Sequence, residues 1–274
     1  MKHHQRIESF FEKGFSHFVD FLDTEKDLRD VENEICYLGR EFFGSKFSLD
    51  YSIPLELRDR ISPFYDSLRY ATSLRKLSTN SKILELVSSL GLAHAIGMNQ
   101  DNIRMDEPSR DEVLFHWHQD ITYLLGSKNS VTLWIPLGKT DLIHGSIGVK
   151  EMREKKIYDF EITNEKALTK TANLSPRDVV LSQIVDESDE LVMDSKRGDL
   201  IAFSQFLLHR SRANKSNLCR WTIQLRYSDL LEPGYIDSGM PMGDRLTILN
   251  CDYYGEIQWK VSDNFQAVLG RQTF

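Results

Sequence analysis

Cysteine is scarce in this 274-residue chain: Cys36, Cys219 and Cys251 are widely spaced and odd in number. That excludes a disulfide framework and a thiolate zinc knuckle, and it fits a reducing cytoplasm. Long apolar runs are missing, so no segment has the roughly 20 residues of a membrane-spanning helix. The opening MKHHQRIESFFEKGF has no apolar stretch and no small-residue cleavage site, so no secretory signal is expected; His3 and His4 are left out of any site. A basic surplus is also missing. The formal net charge of -7 argues against nucleic acid or an anionic membrane as the main partner and leaves a small-molecule substrate. No repeat, low-complexity tract or flexible linker divides the chain, so one domain is expected over 1–274.

What is present changes texture along the chain. Residues 1 to about 90 read as helical. In RIESFFEKGFSHFVDFLD, Ile7, Phe10, Phe11, Phe15, Phe18 and Phe21 fall near helical spacing, with Gly14 weakening the middle. Thr24 and Asp27 mark a start for a helix ending near Gly44, and RDRISPFYDSLRYATSLRKLS and NSKILELVSSLGL read as two more. From about 92 to 230, short apolar runs recur between polar turns: VLFHWHQDI, VTLWIPL, GSIGV, KIYDFEI, DVVLSQIV, DLIAFSQFLLH and RWTIQLRYSDL. Many short strands without helices between them predict a β-sandwich or barrel. The mixed residues 231–274 are expected to wrap the core. The charged segment 151–196 reads as solvated loops, with a closing lid as the alternative.

Three pieces carry chemistry. In FHWHQD, a strand would place His116, His118 and Asp120 on one face and Phe115 and Trp117 on the other. His118 and Asp120 can then address one ion, with His116 as a helper. His209 ends a later strand run. Two imidazoles and a carboxylate without thiolates suit non-haem Fe(II) with open positions for O₂, although zinc hydrolases use the same set. Finally, RWTIQLRY alternates: Trp221, Ile223, Leu225 and Tyr227 share one face, and Arg220, Thr222, Gln224 and Arg226 the other. The apolar face is expected between two sheets. A buried arginine on the polar face could clamp a dicarboxylate in bidentate fashion.

The ordered set His118-Gln119-Asp120, His209-Arg210-Ser211 and Arg220 resembles the phytanoyl-CoA dioxygenase-like branch of the Fe(II)/2-oxoglutarate oxygenases. Trp134 in TLWIPL, Gly145 in HGSIGV, Gly198-Asp199, Asn214 and Ser216 add to the likeness, which covers roughly 100–230. The resemblance implies a double-stranded β-helix (jelly-roll, cupin-like) core on a helical support. It implies Fe(II) held by His118, Asp120 and His209. It further implies 2-oxoglutarate gripped by Arg220 with Ser211, Gln119 and Trp134 lining its pocket, and O₂ as co-reactant. Since Asp120 is a carboxylate rather than the small residue of the halogenating relatives, hydroxylation is expected.

One departure bears on the substrate. Where the family has a Pro-Gly-Ser-His-type turn, GSIGV runs here into KEMREKK. Arg104, Lys128, Lys150, Arg153, Lys155 and Lys156 are the cations a CoA thioester would need. The acidic chain instead favours a small polar metabolite, a sugar or surface-glycan precursor, with Tyr123, Asn129 and Arg226 as mouth residues. Three other readings stand beside this one: a cupin-type isomerase or hydrolase with no use for Arg220, a non-catalytic jelly-roll binding module, and a β-sandwich with coincidental histidines.

Overall fold

The structure is a computed structural model and describes residues 2–98, 100–163, 179–239 and 259–261. Helices come first: α1 (Lys2–Lys13), α2 (Arg29–Phe43), α3 (Ile61–Arg69), α4 (Thr72–Ser78) and α5 (Ser81–Ser89). Local chemistry sets several of their limits. The Asp23 carboxylate accepts from the Glu25 and Lys26 N–H groups and opens a π-helical turn at Thr24–Leu28 that leads into α2. Asn80 caps α5 through the Lys82 N–H. The stretch expected as one helix across Pro63 divides at Tyr70 and Ala71 into α3 and α4.

The first expected helix is also divided, and the reason is Gly14. Its φ of +79° is the left-handed region, and a Cβ there would meet Met152 Cβ at 2.7 Å. The chain turns at Gly14, so Phe15–Phe18 becomes strand β1 instead of a continuation of α1. The phenylalanine spacing still serves burial, because Phe10, Phe15, Phe18 and Phe21 are all inside.

The remaining strands are β2 (Ala95–Gly97), β3 (Asn102–Asp106), β4 (Ser130–Pro136), β5 (Ile147–Val149), β6 (Phe160–Ile162), β7 (Val179–Leu181), β8 (Leu191–Val192), β9 (Leu200–Ser204), β10 (His209–Ser211), β11 (Arg220–Asp229) and β12 (Trp259–Val261). A large sheet runs β1-β9-β4-β11-β2, with β3 also pairing β11. A small sheet, β10-β5-β8, packs Ile147 and Val149 against it, and a third has the order β12-β6-β7, with Phe160, Ile162 and Val179 packed on Met98, Tyr123 and Leu124. Every pairing is antiparallel except β12 with β6. The architecture is mainly antiparallel β with a helical layer, as the sequence pattern implied. Of the expected C-terminal wrap over 231–274, all but 231–239 and β12 lies outside the described residues.

Alternation decides which face of the large sheet does what. Val131, Leu133 and Ile135 of β4, and Trp221, Ile223, Leu225 and Tyr227 of β11, join one core with Leu28, Ile35, Phe64 and Leu74 of the helical layer. Burying each such side chain stabilises by roughly 1.5–3 kcal/mol. Polar tips are satisfied there: Trp221 Nε1 donates to Leu49 O at 2.6 Å and Tyr227 OH to Ser78 O at 2.6 Å. The apolar face of β11 therefore lies under the helices, not between two sheets as expected. The opposite face, with its arginines, looks into the space between the sheets, where Trp134, Ile201 and Phe203 meet Ile147 and Val149.

Segment 151–196 is solvated loop over much of its described length, as expected, with 153–156, 182–184 and 186–189 exposed, but β6 and β7 and a few side chains tie it to the core. Tyr158, Leu181 and Val185 pack with Trp117 and Leu208, and Glu187 and Glu190 pair with Arg210. Residues 164–178 lie outside the description. Replacing Gly14 with alanine is expected to cost about 1–3 kcal/mol, from the forced φ and the Met152 contact. Thermal denaturation should show the loss as a lower Tm, and an unchanged Tm would contradict the role assigned to Gly14.

Candidate metal centre

The segment 115–120 is not the regular strand its alternation suggested. It makes one bridge to the small sheet: His118 N–H donates to His209 O at 3.0 Å, and His209 N–H to His118 O at 3.1 Å. That reciprocal pair sets two imidazoles 91 positions apart side by side, with ring centroids 4.1 Å apart. The chain then enters a 3₁₀ turn at Asp120–Thr122, which brings Asp120 round to the rings. The ligand-capable atoms of His118, Asp120 and His209 lie within 4.8 Å of one another, and all three residues are buried.

The hydrogen bonds fix which atoms face inward. His118 Nδ1 is 2.7 Å from His116 O, and His209 Nδ1 is 3.0 Å from Leu207 O. A carbonyl can only accept, so each Nδ1 carries the proton and each Nε2 is left with its lone pair. Both Nε2 atoms face Asp120 Oδ1, at 3.8 Å and 3.5 Å. Tyr123 OH donates to that same oxygen at 2.5 Å, and Thr132 Oγ1 donates to Oδ2 at 2.7 Å. Arg226 Nε stands 3.8 Å from Oδ2.

Charge follows from burial and neighbours. Burial pushes the His118 imidazole from 6.5 down to about 3, and His209 beside it pushes the same way, outweighing Asp120. Burial lowers His209 as well, against the pull of Asp120. Burial would raise Asp120, but His209, Arg226, His118 and the Thr132 hydroxyl together hold it at about 2. At neutral pH the cage is two neutral imidazoles and one carboxylate, the state in which each can bind a cation. Nitrogen and oxygen donors without thiolate suit Fe(II), so the donor set fits that ion.

The same cavity carries a second group. Its wall includes Phe115, Trp134, Phe203, Ser211, Arg220 and Gln224 around the triad. Arg220 is buried, donates from Nη2 to Asp106 Oδ2 at 2.5 Å, and leaves a buried Nε with no hydrogen-bond partner. A buried guanidinium N–H without an acceptor awaits an anion, so a carboxylate ligand fits here. Asp106 also binds Arg104, whose guanidinium lies 4.0 Å over the Phe115 ring. Gly145 sits where the backbone of Arg212 and Asn214 comes within about 3 Å of a would-be Cβ, at φ +70°, which explains a glycine there.

Not every expected residue joins the cavity. Gln119 is fully buried on the far side: its Nε2 donates to Phe206 O and Lys156 O, and its Oε1 accepts from Tyr158 N–H. It ties segment 156–158 to the core, as the far face of an extended chain requires. Asn129 is bonded to Gly91 O and Asp229, away from the triad. Arg226 is buried behind Asp120, not at a mouth. Tyr123 does wall the cavity, but its hydroxyl is committed to Asp120. The His116 ring is exposed, and only its carbonyl serves the site. Thr132 and Asp106 escaped the sequence reading. Their signal was alternation: Thr132 shares a face with Trp134, and Asp106 lies opposite Arg220 in the β3–β11 register.

Two histidines and one aspartate converging between the facing sheets of a jelly roll define a non-haem metal centre of nitrogen and oxygen donors. The family model of phytanoyl-CoA dioxygenase (PhyH) matches residues 58–221, more than half of the chain, and the chain belongs to that family. It is an enzyme of the iron and 2-oxoglutarate-dependent class, with both as its cofactor and co-substrate. Solved structures share the fold at low identity. EvdO2 from Micromonospora carbonacea var. aurantiaca, complexed with 2-oxoglutarate, is 12% identical with a TM-score of 0.59, over 84% of this chain and 94% of that one. The epimerase SnoN, in complex with Fe3+, alpha ketoglutarate and nogalamycin RO, is 13% identical with a TM-score of 0.55, over 82% and 83%. The non-heme monooxygenase ThoJ is 16% identical with a TM-score of 0.53, over 81% and 76%. Comparison with curated protein sequences finds no match. No helix among the described residues is long and apolar enough to cross a membrane.

The lowered histidine values carry a stability consequence. The unfolded chain binds a proton at His118 near 6.5 and the folded chain only near 3, so acid favours unfolding across that window. The metal-free protein is expected to lose thermal stability as pH falls from about 6.5 toward 3, and His118→Gln to show a flatter profile over the same range. Equal slopes for the two would count against a neutral, buried His118.

Proposed function

We propose that this protein hydroxylates a small polar metabolite, such as a sugar or surface-glycan precursor, with Fe(II) held by His118, Asp120 and His209. The observation that carries the reading is the buried convergence of those three side chains in one cavity with Arg220. When bound, iron with 2-oxoglutarate and O₂ supplies the oxidising power to replace a substrate C–H by C–OH, with succinate and CO₂ as co-products.

The chain's own residues supply position and environment. His116 O and Leu207 O hold the two imidazoles so that both Nε2 lone pairs meet. Tyr123 and Thr132 fix the carboxylate, one hydroxyl on each oxygen. Arg220, steadied by Asp106, offers its free Nε toward the distal carboxylate of 2-oxoglutarate, with Ser211 and Trp134 in the same wall. The rings of Phe115, Trp134 and Phe203 keep water from the reacting centre. Asp120 would be a metal ligand at the place where the halogenating relatives carry a small residue, which favours hydroxylation over halogenation. Gln224 and Ser211 are uncharged polar groups in the cavity wall, in keeping with a hydroxyl-bearing substrate.

The test is succinate release from 2-oxoglutarate with Fe(II), ascorbate and a panel of sugars and nucleotide sugars. Asp120→Ala is expected to abolish turnover. Arg220→Gln is expected to weaken 2-oxoglutarate by about a hundredfold, since a charge-assisted bond inside a buried site is lost. Co(II) binding by that variant should stay within about threefold of the parent. A cupin-type isomerase or hydrolase would tolerate Arg220→Gln, and a binding module would release no succinate at all.

A further inference from the structure

Arg226 is placed where no substrate-gripping role explains it. Its guanidinium is buried on the side of Asp120 away from the histidines, with Nε 3.8 Å from Oδ2 and making no hydrogen bond. Its other nitrogens meet uncharged oxygens: Nη1 donates to Gln100 O at 2.6 Å and Nη2 to Gln224 Oε1 at 2.5 Å. Those two bonds pin the group without neutralising it. Among the described residues the acid facing it besides Asp120 is Asp101, which accepts the Arg226 backbone N–H at 3.0 Å and is itself shared with Arg75 at 3.9 Å. A full positive charge thus stands one carboxylate away from the position where a metal ion would sit. Arginine does not lose that charge, and burial limits its screening.

We infer that Arg226 tunes the metal centre electrostatically, weakening its hold on cations and disfavouring the ferric ion more than the ferrous. The inference rests on the reading that His118, Asp120 and His209 hold iron. Coulomb repulsion scales with the product of the charges, so a fixed guanidinium opposes a trivalent ion half as much again as a divalent one at the same place. Two imidazoles and a carboxylate carry one negative charge; Arg226 offsets it. The cage then keeps its geometry but loses much of the attraction that would drive one-electron oxidation of a resting iron. In the unguarded event, Fe(II) gives one electron to O₂, leaving Fe(III) and superoxide. An enzyme that meets O₂ before its substrate benefits from suppressing that loss.

A purely structural role for Arg226 predicts the opposite sign, because a loosened Asp120 would bind metal less well. The experiment is a Co(II) titration of the metal-free full-length protein, with the parent, Arg226→Lys, Arg226→Gln and Asp101→Asn compared. Arg226→Gln is expected to bind Co(II) about tenfold more tightly, and Arg226→Lys, which keeps the charge, to stay within about threefold of the parent. Asp101→Asn leaves the guanidinium less compensated and should weaken Co(II) binding about threefold, which serves if the Arg226 variants fail to fold. Air oxidation of the Fe(II)-loaded protein, followed by ferrous-iron assay, should be about tenfold faster in Arg226→Gln. Equal or weaker Co(II) binding by a folded Arg226→Gln overturns the inference, as does tighter binding by Asp101→Asn. A parent protein that takes up no Co(II) overturns the iron reading itself, so the two failures are told apart.

Discussion

Two backbone hydrogen bonds between His118 and His209 are the constraint on which the site depends. They join the loop after β3 to the first residue of β10, and so couple the wall near the large sheet to the small sheet. Without them the imidazoles belong to separate parts of the chain. With them, each ring needs only one further bond, to a carbonyl two residues before it, to present Nε2 inward. A backbone bridge is a better anchor than side-chain contacts alone, because it fixes both Cα positions before any rotamer is chosen. The 3₁₀ turn that follows then has one task, to swing Asp120 back under the pair.

The large sheet makes this possible by having two faces of different chemistry. Its outer face, buried beneath the helices, is apolar and dense, with Trp221 edge-on to Phe47 and Phe64 at 6.3 Å each. Its inner face carries Thr132, Trp134, Arg220, Gln224 and Arg226. Polar and charged groups can be tolerated there because the helical layer holds the strands in place independently of what lines the cavity. A sheet packed by its inner face alone would have to fill that space with aliphatic side chains, and no room would remain for a ligand.

Much of this was legible in the residues. Strict alternation over 220–227 marks the two faces of β11, since period two survives whatever the sheet packs against. His118, Asp120 and His209 were legible as a set through their order with Arg220, since His-x-Asp alone is a weak signal and zinc hydrolases use the same donors. Other features were not. The apolar face of β11 carries no sign of whether helices or a second sheet will cover it. Gly14 dividing a run of phenylalanines looks like a weak helix position, and only the Met152 contact, 138 residues away, makes the turn obligatory. Gln119 and Tyr123 show the same limit. Gln119 stands between two ligands and Tyr123 three residues beyond, yet the Gln119 amide goes away to the 156–158 backbone and the Tyr123 hydroxyl comes back to Asp120. The carbonyls that select the histidine tautomers leave no trace in side-chain identity at all.

The buried charges reveal how an anion site can exist before its anion arrives. Arg104, Asp106 and Arg220 form a chain of plus, minus and plus along the β3–β11 register. Burial would raise the Asp106 carboxyl, yet the two guanidiniums hold it below its ordinary value, so it stays ionised. One aspartate cannot neutralise two arginines, and the trio keeps one unit of positive charge. Leaving Arg220 wholly unpaired in a closed cavity would be costly, and pairing it fully would leave nothing to attract a ligand. Sharing one carboxylate between two guanidiniums lies between those limits. Asp106 takes Nη2 and fixes the plane of the Arg220 guanidinium, leaving its buried Nε without a partner. An incoming carboxylate then meets a donor that is already oriented, and ordering that side chain adds little to the entropy lost on binding.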